Sequence, residues 1–359
     1  MRHLLSPERY VHTADLREAT DAAGLASHTG WWNSLAAADI DRDGDLDYLA
    51  TNRGNNTKYH PALDHPQMVY YGEFDGTGKR QIIEAKQTDA GMLPVRGRSC
   101  SSNAMPFLAE KFATYDAFAK ATLPDIYSED RLSGSLRVVA TTPYTSLLVN
   151  DGLGRFEVKP LPALAQVAPG MGVEFLWCNH DTVPDLFLAQ NFYQPERETG
   201  RMNGGVGLVL LGDAMGDYRP LWPDESGVVL PDDCRAMTTV DLDQDGWQDL
   251  VVATNDGPVR TRLHAPTNSG SVPRPLRLHG RPGNPAAIGA SVEATSRSGR
   301  RVRYETRAGG GYLTQAPIQV YLMEDPSDMF VSLRVTWPSG AQEEVNIVGH
   351  AGQAIEASE

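Results

Sequence analysis

The sequence predicts an all-β protein: part of a β-propeller with a small helical insertion, followed by a small β domain. Three observations predict it. Short strand-like runs punctuated by turn residues recur along the chain, an acidic loop of fixed spacing is repeated, and a proline-rich stretch sets off residues 276–359.

The chain has 359 residues, of which 34 are Gly and 24 Pro, a composition of many tight turns rather than long helices. Hydrophobic residues make up 41% and charged residues 22%, enough for a sizeable core and against disorder. Residues 68–74, 136–141, 146–150, 186–190, 207–211 and 250–254 are apolar or alternating runs bounded by Gly, Asn, Asp or Pro. They read as strands joined by hairpin turns. Residues 107–127 depart from this pattern: Phe107, Leu108, Phe112, Ala119 and Leu123 fall near helical spacing, which predicts a helical insertion ended by Pro124.

Residues 39–52 read DIDRDGDLDYLATN and residues 241–255 read DLDQDGWQDLVVATN. Weaker copies stand at 73–81 (EFDGTGKRQ) and 177–191 (WCNHDTVPDLFLAQN). A second element, NDGLGRF at 150–156, is echoed 62 residues later by GDAMGDY, and the acidic loops at 177 and 241 are 64 residues apart. A period near 60 with several strands per unit suggests propeller blades, about four of them. A two-sheet β-sandwich is the competing reading, but it leaves the repeated loop unexplained. Residues 265–275 (APTNSGSVPRP) have linker composition, so residues 1–264 and 276–359 form separate units. Strand-like runs resume at 276–279, 291–295, 302–306, 318–322 and 332–337.

In D-x-D-x-D-G-x-x-D, alternate carboxylates can wrap one hard cation while the glycine permits the turn. Loop one offers Asp39, Asp41, Asp43 and Asp47, with a backbone carbonyl from Asp45. Loop two offers Asp241, Asp243, Asp245 and Asp249, with a carbonyl from Trp247. Oxygen ligands of high charge favour Ca²⁺ over zinc or copper. An EF-hand is excluded, because its twelfth-place Glu is Ala50 in one loop and Val252 in the other, and a strand-like run follows each. Plain Asp-Gly hairpins with solvated carboxylates are the alternative, but four carboxylates within nine residues would then repel one another uncompensated, twice. The weaker copies have Thr77 and Gln81, or Trp177 and Thr182, at key places, and read as metal-free turns.

These loops resemble the FG-GAP/VCBS repeats, which also occur in integrin α-subunit propellers. The C-terminal part resembles the ASPIC/UnbV domain of cartilage acidic protein and its bacterial relatives. It does so through NPAAIGA at 284–290, GGGYLTQ at 309–315 and WPSG at 337–340. TGWWNS at 29–34, the helical insertion and residues 162–166 extend the resemblance over nearly the whole chain. The resemblance implies a calcium-binding, adhesion-like role outside the cytoplasm, secreted, periplasmic or at the cell surface, with a protein or glycan ligand. It implies no known reaction. Propellers of this family have about seven blades and their proteins carry export signals. The start of this chain has no apolar signal region, so further N-terminal blades and a signal are expected upstream.

A net charge of −14 argues against a nucleic-acid groove. Residues 275–359 hold eight Arg, no Lys and nine acidic residues, so −13 of that charge belongs to the first 274 residues. No apolar run is long enough for a transmembrane helix. Three cysteines are too few and scattered for a disulfide framework. No catalytic or cofactor motif stands out. Gly76–Arg80 lacks phosphate-loop spacing, Gly309–Gly311 reads as a turn, and His60 and His65 read as surface residues. Trp31 and Trp32 suit either a carbohydrate-stacking platform or blade packing. A polysaccharide hydrolase or lyase acting on the propeller face is the alternative to a binding protein.

Overall fold

A computed structural model describes residues 17–197, 199–265, 270–348 and 354–359. Residues 1–16, read above for an export signal, and residues 266–269 of the linker lie outside them.

β1 (Ser34–Ala38) and β2 (Asp47–Thr51) pair antiparallel around the first acidic loop. The chain then leaves this sheet to build another. β3 (Gln67–Gly72), β4 (Gln81–Thr88) and β5 (Gly91–Pro94) are followed by helices α1 (Arg98–Ala104), α2 (Phe107–Lys111), α3 (Tyr115–Lys120), α4 (Leu123–Tyr127) and α5 (Glu129–Ser133), then β6 (Leu136–Ala140). That sheet runs β5-β4-β3-β6. β7 (Ser146–Asn150) and β8 (Phe156–Pro160) return to the first sheet, which runs β1-β2-β7-β8. The weaker acidic copy at 73–81 therefore joins β3 to β4 of an inserted sheet, not a blade that follows the first.

The insertion is a run of short helices rather than one, and Pro124 does not end it. Pro124 lies in the first turn of α4, where its missing N–H would have no intrahelical partner in any case. Asp125 accepts the Thr122 N–H at 2.9 Å, closing that end. Leu108, Phe118, Leu123 and Ile126 pack with Met68, Tyr70 and Ile83 of the inserted sheet.

β9 (Gly170–Leu176), β10 (Asp185–Gln190), β11 (Leu208–Gly212) and β12 (Tyr218–Pro220) form a meander. After α6 (Pro223–Ser226), β13 (Cys234–Val240), β14 (Asp249–Thr254) and β15 (Arg260–Arg262) form another. The first strands of three sheets are neighbours, with β9 between β1 and β13. β9 and β10 are buried at every position, so they lack alternation. Gly172 lets β9 lie close to β13, since a Cβ there would stand 2.7 Å from Met237 Cγ. Among the described residues no sheet closes on itself, and a propeller ring is not traced.

The C-terminal unit has its own core, including Val292, Leu322, Leu333, Val335 and Trp337. Its strands are β16 (Val272–His279), β17 (Ser291–Ser296), β18 (Arg301–Glu305), β19 (Val320–Glu324), β20 (Phe330–Thr336), β21 (Gln342–Asn346) and β22 (Ile355–Ser358). They form sheets β19-β16-β22 and β18-β17-β20-β21, with β16 and β22 parallel. β16 starts at Val272, inside the stretch read as linker. Pro273 and Pro275 are tolerated there because β22 pairs with β16 only from Leu276 on, leaving that edge open.

The two units touch across the face made by β1 and β9. Gly311 N–H donates to Leu35 O at 3.2 Å, and the Arg307 guanidinium donates to Ala37 O at 3.0 Å. Arg303 N–H donates to the Asp39 carboxylate at 2.8 Å. No helix among the described residues is long and apolar enough to cross a membrane.

Candidate metal centres

Both acidic loops join the first and second strands of their sheets and turn the same way. At the fourth place Arg42 and Gln244 have φ of 61° and 63°, and at the sixth Gly44 and Gly246 have φ of 100° and 92°. A Cβ at either glycine would meet open space, so the left-handed backbone, not crowding, is what requires glycine. Loop N–H groups turn inward. Asp45 N–H donates to Asp43 Oδ1 at 3.1 Å, Gly246 N–H to Asp241 Oδ2 at 3.1 Å and Trp247 N–H to Asp245 Oδ1 at 2.8 Å.

Asp39, Asp41 and Asp43 each bring a carboxylate oxygen within 4.8 Å of the others, and so do Asp241, Asp243 and Asp249. Asp47, Asp45 and Asp245 are not in these sets. The Asp45 side chain has one buried oxygen without a partner. Trp247, read from sequence only as a carbonyl donor, is buried. Its indole stacks on His264 at 4.5 Å and 5°, and meets His180 edge-on at 4.5 Å.

The ninth place has a duty that sequence reasoning missed. Asp47 accepts Ile40 N–H at 2.9 Å with one oxygen and Asn150 N–H, at the end of β7, at 2.8 Å with the other. Asp249 takes Leu242 N–H and His264 N–H, both at 2.8 Å. Asp185 in a weaker copy takes Cys178 N–H at 2.6 Å and Gly212 N–H at 3.0 Å. Gln81 keeps half the pattern, accepting Phe74 N–H at 2.9 Å. The ninth-place aspartates thus close their own loops and fasten them to the end of the third strand, or in Asp249 to the residue two places beyond it. The signal was in the sequence: Asp185 is retained where the first and sixth positions are lost.

Burial pushes Asp39 up to about 7, with Asp43 and Asp47 adding repulsion, against the Arg303 and Gly44 N–H groups. Asp47 is raised to about 6, mainly by burial. Asp41 and Asp45 are also raised, by burial first and then by neighbouring carboxylates. Asp39 is only 2% exposed, and its Oδ1 has no hydrogen-bond partner. The Oδ1 of Asp241 is likewise buried and unpartnered. A buried anionic oxygen without a donor is costly, and a cation among these carboxylates would satisfy it. The donor set fits a hard divalent cation such as Ca²⁺.

The weaker copies spend their oxygens differently. At 73–81, Gly76 and Gly78 keep the turn with φ of 79° and 78°, but Asp75 accepts the Thr77 hydroxyl at 2.6 Å. At 177–185, Asp181 accepts the Asn179 amide at 2.7 Å. His60 bonds Asn55 at 3.0 Å, and half-buried His65 lies between Asp64 and Asp89, so these two histidines serve different partners. Trp31 is half-buried against Tyr59, while Trp32 is 36% exposed. Glu174 on β9, absent from the sequence reading, is buried with Arg307 4.0 Å away, and burial raises it to about 7.

Fold and loops together define a mostly β protein with two candidate cation loops and a separately cored C-terminal unit. Residues 280–356 match the model of the family described as ASPIC and UnbV, which covers most of that unit. No curated protein matches the chain.

Proposed function

We propose that the chain is a calcium-binding protein of FG-GAP/VCBS type, part of a β-propeller that binds a protein or glycan partner outside the cytoplasm. The observation that carries this reading is the pair of buried, unpartnered oxygens, Asp39 Oδ1 and Asp241 Oδ1, at the same place in two loops of one geometry. Bound Ca²⁺ supplies positive charge at each loop. Asp39, Asp41 and Asp43 would hold one ion, and Asp241, Asp243 and Asp249 the other. The ninth-place aspartates orient the loops against the third strands. Extracellular calcium modules work at roughly 0.1–1 mM Kd, which suits a compartment with millimolar calcium.

Isothermal titration of the EDTA-stripped full chain with CaCl₂ tests this. Two sites in the submillimolar to millimolar range are expected, with one lost in Asp41→Asn and the other in Asp243→Asn. A folded chain that takes up no Ca²⁺ at millimolar concentration would overturn the reading.

A further inference from the structure

Away from both loops, a cavity of about 370 Å³ lies where the first sheet, the inserted sheet and the segment after β10 meet. Its polar centre is Arg53. The guanidinium sits over the Tyr59 ring at 4.6 Å and the Trp31 ring at 5.2 Å. Its face is therefore engaged while its edge is not. Arg53 Nε is buried with no hydrogen-bond partner, and no carboxylate lies within ion-pair distance among the described residues. Nearby Glu84 is taken by others: Tyr59 OH donates to it at 3.0 Å and Arg96 Nε at 2.8 Å. Arg96 also holds Glu196 at 2.9 Å. Burial lowers the Arg53 pKa, with Tyr59 and the Glu84 carboxylate opposing the shift only in part.

The site is built rather than incidental. Asn52 Oδ1 accepts both Trp31 N–H at 3.0 Å and Arg53 N–H at 2.8 Å, and Asn52 Nδ2 donates to Thr142 O at 3.1 Å. One fully buried amide thus sets the backbone at the ring and at the cation together. Trp31, Tyr59 and Phe192 supply aromatic walls. Glu84 and Glu196 also line the cavity, but both carboxylates are held by Arg96, which leaves Arg53 as the lining cation without an ion pair among the described residues. An aromatic-walled cavity of this size with a few convergent polar groups is the usual form of a small-molecule site. A guanidinium edge presents parallel N–H donors that match a carboxylate.

We propose that this cavity binds a ring-bearing organic carboxylate, its acid group on the edge of Arg53 and its body against Trp31, Tyr59 and Phe192. Uronic-acid sugars and aromatic acids share this chemistry. The site is separate from the cation loops and stands whether or not they bind calcium.

The test is an NMR titration of the full chain, with CaCl₂ present throughout, following arginine Nε–H resonances. The probes are D-glucuronate, benzoate, D-glucose and acetate, and Arg53→Lys identifies the Arg53 signal. Saturable binding of glucuronate or benzoate that shifts the Arg53 Nε–H resonance is expected, with glucose and acetate much weaker. Whichever acid binds identifies the source. Arg53→Lys keeps the charge but loses the fork, and should weaken binding about tenfold or more. The proposal is overturned if neither acid outcompetes glucose and acetate, if the Arg53 resonance stays still, or if Arg53→Lys binds as the parent does. The titration of the unsubstituted chain decides the first of these without any variant.

Discussion

Asp185→Ala isolates the ninth-position clamp from any metal, because its loop does not assemble a ligand set. Asp185 is fully buried and accepts Cys178 N–H at 2.6 Å and Gly212 N–H at 3.0 Å. Removing the carboxylate leaves two buried donors without acceptors, each costing about 1–3 kcal/mol. Burial raises the Asp185 pKa to about 7, so its charged form is itself penalised near neutral pH, and the substitution recovers part of that. The expected net loss is about 2–4 kcal/mol at pH 7. Gln81→Ala removes one such bond, to Phe74 N–H, and should cost about 1 kcal/mol. Urea unfolding followed by far-UV circular dichroism compares the two. If Asp185→Ala costs less than Gln81→Ala, the clamp is not what fastens these sheets.

Glu174 predicts a pH dependence. Its folded pKa of about 7 lies above the ordinary 4.5, so the folded state binds more protons between these values. Its contribution to stability should therefore fall as pH rises from about 4.5 to about 7, by roughly 3 kcal/mol, and stay level above. Measured at saturating calcium, Glu174→Gln should flatten this part of the curve, and an unchanged slope would contradict the burial argument. In the C-terminal unit, Arg274 and Glu324 are 1% and 2% exposed and pair at 3.0 Å. Arg274→Met leaves Glu324 buried without that cation and should cost about 3–5 kcal/mol, most of it restored by adding Glu324→Leu. A loss below about 1 kcal/mol for the single variant would show that the pair is not desolvated as the packing implies.

The acidic loops were legible because their requirements are local: alternate carboxylates, and glycine where φ is positive. Every strand-like run marked from sequence overlaps a strand, though some ends differ by two residues, since each pairs apolar content with turn residues at its ends. β9 was missed because Gly170 and Gly172 dilute its apolar pattern, and those glycines answer to crowding from Leu188 and Met237 that lie elsewhere in the chain. The second duty of Asp47 was hidden for the same reason: its partner Asn150 is 103 residues away. Pro124 was misread because proline stops a helix interior but suits a first turn, and only the capping contact with Asp125 distinguishes them. The Arg53 cavity combines residues from three regions, and no spacing rule gathers those.

The central claim is that two loops hold calcium, and the thermal response of single-aspartate variants tests it most directly. An ion that binds only the folded state stabilises it by RT ln(1 + [L]/Kd), about 1.4 kcal/mol per site at a tenfold excess over Kd. Millimolar Ca²⁺ should therefore raise the unfolding temperature of the full chain, and EGTA should lower it. Asp41→Asn and Asp243→Asn each remove one anionic ligand and should blunt the rise. Asp75→Asn, where the carboxylate is occupied by Thr77, should leave it unchanged. An unfolding temperature indifferent to Ca²⁺, or a response blunted as much by Asp75→Asn as by Asp243→Asn, would contradict the assignment.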